Sequence, residues 1–154
     1  MDIKNELLNF LKKNQLMTLA TSSETGPWAA NVFYTVDDNF NIYFISAEIA
    51  KHVKDIEKNS KVALAIANTD QKFYTQKIGV QITGIANKIE PQSEEYQKGL
   101  DLVFDAIWGY KDEKLLELNT VKHMVGALFK IKIVSAKFLD ETLFGEHVSK
   151  EIDF

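Results

Sequence analysis

"YFISAEIAKHVKDIEKNSKVALAI", residues Tyr43–Ile66, holds two apolar runs with a short amphipathic segment between them. Alternation up to Ser46 predicts a strand over Asn41–Ser46. Lys51–Lys58 predicts a short helix, with Ile49, Val53 and Ile56 on one side and Lys51, Lys54 and Lys58 roughly opposite. Asn59-Ser60 ends it, and "KVALAIA", Lys61–Ala67, follows as a nearly continuous apolar strand. A hydroxyl, an ammonium and an imidazole (Ser46, Lys51, His52) thus gather where a strand hands over to a helix. A helix start there offers free N–H groups and the positive end of the dipole, which suits an anion. The lysine stripe also reads as a solvated helix face.

Working outward, Ile3, Leu7, Leu8 and Leu11 recur at helical spacing, so residues 2–14 read as a helix that Asp2 can cap. "LMTLATSSETGPWAANVFYTV" reads as a hairpin, with strands Leu16–Thr21 and Trp28–Val36 around a run of turn residues. "KIGVQITGIANKIE", Lys77–Glu90, is a long strand whose two glycines mark a bulge, a bend or a close approach. Ser93–Trp108 reads as a helix and Glu113–Leu118 as a short helical turn. "VGALFKIKIV" and "SAKFLD" read as two strands joined by a tight bend, and Thr142–Phe154 as a tail or edge element. Most connections are too short for parallel crossovers, so the sheet is expected to be antiparallel. Closure into a barrel then removes exposed edges. The expected fold class is α+β: an antiparallel barrel of six to seven strands with flanking helices.

The 154 residues predict one domain, 1–154. The net charge of −4 argues against a general nucleic-acid binder. Cysteine is absent, which excludes disulfides, iron–sulfur clusters, thiolate zinc sites and cysteine nucleophiles. No run is long enough to cross a bilayer, and a cytoplasmic protein is expected. All 18 basic residues are lysines. An anion site must therefore use lysine as a point charge, with backbone N–H groups, hydroxyls or histidine, and no guanidinium fork. No G-x-G-x-x-G, Walker loop or G-x-S-x-G elbow occurs. His52, His123 and His147 lack the spacing of a helical metal pair, and no metal site is expected. Asp37-Asp38 reads as a solvated turn. No catalytic acid or base stands out.

The order of "LMTLATSSETGPWAANVFYTVDDNFNIYFISAEIAKHVKDIEKNSKVALAI", "GVQITGIANKI" and "LFKIKIVSAKFLD" resembles the pyridoxamine 5′-phosphate oxidase-like, FMN-binding split-barrel proteins, particularly their small uncharacterised bacterial members. The resemblance implies a split barrel that forms a homodimer, with FMN at the subunit interface. It implies that Asn31, Val32, Phe33 and Tyr34 lie along the flavin. The end of the next strand, Ile45 and Ser46, would then meet it together with Lys51 and His52, while Gln81 reaches the ring system. Relatives often carry arginine where Lys51 stands. The C-terminal tryptophan and arginine pattern of true pyridoxamine phosphate oxidases is not evident, which argues against vitamin B6 chemistry. The implied activity is an FMN-dependent oxidoreductase using NAD(P)H or a similar donor on a small-molecule substrate. The alternative is a non-enzymatic flavin or haem binding or storage protein of the same fold.

Overall fold

The computed structural model of the chain describes residues 1–108 and 126–154. The chain opens with α1 (Ile3–Lys13), whose start is fixed by the Asp2 carboxylate accepting from the backbone N–H groups of Lys4 and Asn5. Its apolar stripe buries Leu7, Phe10 and Leu11. The strands β1 (Leu16–Ser23), β2 (Gly26–Phe33), β3 (Thr35–Val36) and β4 (Asn41–Ser46) follow, then α2 (Lys51–Lys58), β5 (Lys61–Ala67) and β6 (Ile78–Lys88). α3 (Glu94–Val103) is capped by the Ser93 hydroxyl and runs into a π-helical turn, Phe104–Trp108. β7 (Ala127–Asp140), α4 (Glu141–Phe144) and β8 (Ser149–Asp153) close the described chain.

Every strand pairing is antiparallel, in the order β2-β1-β5-β6-β7-β4-β3, with β8 on β7. The two ends of that order, β2 and β3, are one run of chain broken at Tyr34. Up to Leu16↔Phe33 this run pairs with β1; from Thr35↔Tyr43 it pairs with β4. Tyr34 makes the switch because its bonds go to neither strand ladder. Its N–H donates to the Gln15 carbonyl at 2.9 Å, and its buried hydroxyl donates to the Leu11 carbonyl at 2.8 Å. The sheet therefore curls back on itself as a split barrel, an α+β fold. Its interior holds Met17, Leu19, Ile82, Phe129 and Phe138, with the Phe44 and Phe129 rings stacked 5.1 Å apart. Burying each such side chain contributes about 1.5–3 kcal/mol.

Three expected boundaries change. The Trp28–Val36 strand divides at Tyr34. The two strands expected over "VGALFKIKIV" and "SAKFLD" are a single 14-residue strand, β7. What reads as a bend is a bulge: Thr83 faces Ser135 and Gly84 faces Ile133, leaving Val134 unmatched. A Cβ on Gly84 would stand 2.6 Å from Ile131 Cγ2, so the tight side of that bulge admits only hydrogen. Thirdly, the tail contains β8, which pairs with the second half of β7. Among the described residues the strand count becomes eight, one of them only two residues long. The helix expected over Glu113–Leu118 lies outside the described residues.

Candidate functional site

The split follows from the pairing. β2 pairs only with β1, so the other edge of Gly26–Phe33 has no strand partner among the described residues. β4 pairs with β3 only through Ile42 and Tyr43, which leaves Phe44–Ser46 open on that side. Those two open edges lie close together, and the split between them is a cleft. The first turn of α2 joins its two sides at the mouth, with His52 reaching Ser46 of β4 and the Lys51 ammonium over the Trp28 ring of β2.

Local sequence explains why α2 begins as it does. Its N-cap is Ala50, which has no side chain to accept from the first-turn N–H groups. Ser46 does not cap the helix; its hydroxyl lies 2.7 Å from His52 Nε2. Burial holds the His52 pKa below its ordinary value, with the Asp55 carboxylate opposing. A lowered pKa favours the neutral imidazole, which pairs with the Ser46 hydroxyl.

Lys51 is not a free cation. Its ammonium donates to both carboxylate oxygens of Asp55, at 2.5 and 2.7 Å, one helical turn on. Asp55 is 4% exposed and also accepts from the Thr21 hydroxyl of β1 at 3.0 Å. The hydrogen bond from Lys51 holds the Asp55 carboxyl below the usual carboxylate range, with Thr21 helping. The Trp28 ring, 48% exposed near the start of β2, has the Lys51 ammonium 6.0 Å from its centroid. Neither Asp55 nor Thr21 is a candidate on sequence grounds. The available signal is the Lys51–Asp55 spacing of four, with Asp55 falling between the buried Val53 and Ile56.

The expected site residues divide into two groups. Ser46, Lys51 and His52 meet at the mouth of the cleft, and Asn31–Tyr34 and Ile45 run along its edges. Val32 and Tyr34 turn their side chains into the core, so they offer a ligand only backbone. Ile45 packs on the cluster around Tyr43, Val103 and Leu128. Asn31 is exposed, and its side-chain oxygen accepts from the Thr18 hydroxyl at 2.9 Å. Phe33 is exposed as well.

Gln81 stands apart. The register places Asn31, Thr18, Ala65, Gln81, Lys137 and Glu151 in one row across five strand pairings. Three interstrand steps separate Gln81 from Asn31, about 14 Å. Beside this row run Ala29, Ala20, Ala63, Thr83, Ser135 and Asp153. The result is a broad outer face of small side chains, hollowed into a shallow groove of about 560 Å³.

Among the described residues no group of three histidine, aspartate or glutamate side chains could hold a metal ion. Among the same residues no helix is long and apolar enough to cross a membrane. His123 lies outside them.

A family model described as pyridoxamine 5′-phosphate oxidase matches residues 3–117. The chain belongs to this family. A UPF0306 protein of Pasteurella multocida is 32% identical over 95 residues, covering 61% of this chain and 63% of that protein. The match thus spans less than two-thirds of that relative's length. Among solved structures, a heme-binding protein from Mycobacterium smegmatis superposes with a TM-score of 0.76 at 15% identity, over 99% of this chain and 58% of the other. A FAD-binding protein from Mesorhizobium loti gives 0.65 at 15% identity, over 86% and 89% of the two chains. These likenesses establish the split-barrel fold that this family member shares with them.

Proposed function

We propose that this family member binds FMN in the split, at the seam between two copies of the chain, and acts as an oxidoreductase on a small-molecule substrate. One observation carries the reading: an uncapped helix start, two unpaired strand edges and the Ser46–His52 pair converge on one cleft, while Gln81 is about 14 Å away across its own sheet. A second copy of the chain laid on the outer face of the sheet would bring its own Gln81 towards a ligand in the cleft. The outer face of small side chains is what a second copy would cover.

The residues present fit the group. The first-turn N–H groups of α2 and the Ser46 hydroxyl would hold the phosphate, with Lys51 beside them. Main-chain groups of Asn31–Tyr34 and Ile45 would lie against the ring edges. When bound, the flavin supplies the hydride or electron transfer. The protein's part is to bind, orient and exclude water, and the small residues of the outer face allow a close second surface.

The test is anaerobic addition of NADH or NADPH to protein loaded with FMN. Bleaching of the flavin absorbance supports the oxidoreductase, and stable colour with both donors overturns it while leaving flavin binding intact. A second reading, haem binding without catalysis, rests on the half-buried imidazole of His52 at the cleft mouth, whose lowered pKa favours the neutral form. A Soret band on adding hemin that disappears in His52→Ala supports it.

A further inference from the structure

Lys51 stands where an anion is expected, yet both oxygens of a buried carboxylate already hold it. Among the described residues, the other charged groups near the mouth are themselves paired or neutralised. Burial favours neutral His52. Glu48, in the turn before α2, is paired with Lys88 at 2.5 Å, and Lys54 lies 3.5 Å from Glu57. Lys51 and Asp55 sum to zero, and Asp55 cannot swing away, being 4% exposed and tied to Thr21. A phosphate dianion entering beside Lys51 therefore also enters beside a fixed negative charge, in surroundings that screen less than bulk water.

We propose that Asp55 is a specificity-determining residue of this cleft: by neutralising Lys51 it lowers the affinity for a phosphate dianion and leaves phosphate recognition to N–H and hydroxyl donors. The ammonium has three N–H bonds and spends two on Asp55, so it keeps one for a ligand. It acts as a hydrogen-bond donor rather than as a net charge. Two consequences follow. The phosphate adds less to affinity than a free lysine would allow, so FMN exceeds riboflavin only by what the N–H and hydroxyl donors supply. Added salt then weakens FMN binding only slightly, because little net charge attracts the ligand.

The proposal rests on the flavin reading above, and the experiment separates the two. Flavin fluorescence titrations on the full chain give dissociation constants for FMN and riboflavin at low and high salt. The variants are Asp55→Asn, which keeps a partner for Thr21, and the double variant Lys51→Gln/Asp55→Asn. Asp55→Asn is expected to tighten FMN binding about tenfold at low salt by removing one charge beside the dianion. Riboflavin should be unaffected, and high salt should erase most of the gain. The double variant should return FMN affinity to near the starting value. Weaker or unchanged FMN binding in Asp55→Asn overturns the proposal alone. Should that variant fail to fold, the unaltered protein decides: a steep loss of FMN affinity with salt overturns the proposal, and a shallow one supports it. Failure of the unaltered protein to bind either flavin overturns the flavin reading and this proposal together.

Discussion

The mouth of the cleft and the outer face of the sheet are built on opposite plans. At the mouth each chemically active side chain already has a partner within the chain: Ser46 with His52, and Lys51 and Thr21 with Asp55. On the outer face Ala20, Ala63 and Ala65 line a shallow groove that also exposes Gln81 and the linked hydroxyls of Thr83 and Ser135. In the first region the polar groups are paired within one chain. The second gains a role on the proposed reading, in which a second copy covers it. The difference shows that position in the fold, more than residue type, decides whether a polar side chain is paired within the chain or left open on a surface.

The largest effect should come from breaking the outer face. Ala65→Glu puts a charge in the middle of the row between Thr18 and Gln81, on an exposed position of a strand that stays folded. On the proposed dimer it yields a monomer in light scattering and costs about a hundredfold in FMN affinity, some 2.7 kcal/mol. A dimer that binds FMN normally would show that this face is not the seam. Next comes Gly84→Val, at the bulge beneath that face. The added side chain meets Ile131 Cγ2 and the Lys132 carbonyl, the latter 2.9 Å from a bare Cβ. Overpacking of this kind costs about 1–3 kcal/mol, read as a lower urea midpoint. That variant should damage fold and ligand binding together, unlike Ala65→Glu.

At the mouth the effects should be smaller. His52→Ala removes the Ser46 partner and a group beside the α2 start, and should weaken FMN binding about tenfold with little change in melting temperature, given the usual worth of a hydrogen bond near a charged ligand. Smallest is the pH dependence of stability. Asp55 and Glu141 have folded pKa values below their ordinary ones, Asp55 through Lys51 and Glu141 through the Lys77 backbone N–H. The unfolded chain thus binds more protons in acid, so their stabilisation is full above the ordinary carboxylate range and is lost as pH falls through about 4. His52, also held low, adds a shallower loss that begins as pH drops below about 6.5. Melting temperatures should be level from pH 7 upward and decline in acid, and Asp55→Asn should flatten part of that decline.

Much of this architecture is legible in the chain. β4, α2 and β5 carry their periodicity within a few residues, so Asn41–Ser46, Lys51–Lys58 and Lys61–Ala67 can be bounded from sequence. The glycines of β6 announce a bulge, and Gly84 forms one. The break at Tyr34 is not legible, because its cause is a hydrogen bond to Leu11 on a different element. The continuity of β7 is hidden for a similar reason: Val134 interrupts the alternation only because β6 opposes it with one residue too few. At the site, Ser46, Lys51 and His52 fall together as the pattern suggests. The burial of Asp55 is invisible until β1 brings Thr21 against it, since an aspartate on a lysine-rich helix reads as surface. Gln81 is legible as an unusual polar residue in an apolar strand, but its distance from Asn31 emerges only from the strand order.

Native mass spectrometry of the full chain after incubation with FMN tests the central claim most directly, because it reports assembly and ligand at once. A complex of two chains carrying two FMN molecules is the predicted result. A single chain without flavin, at concentrations where the fold is intact, would contradict it.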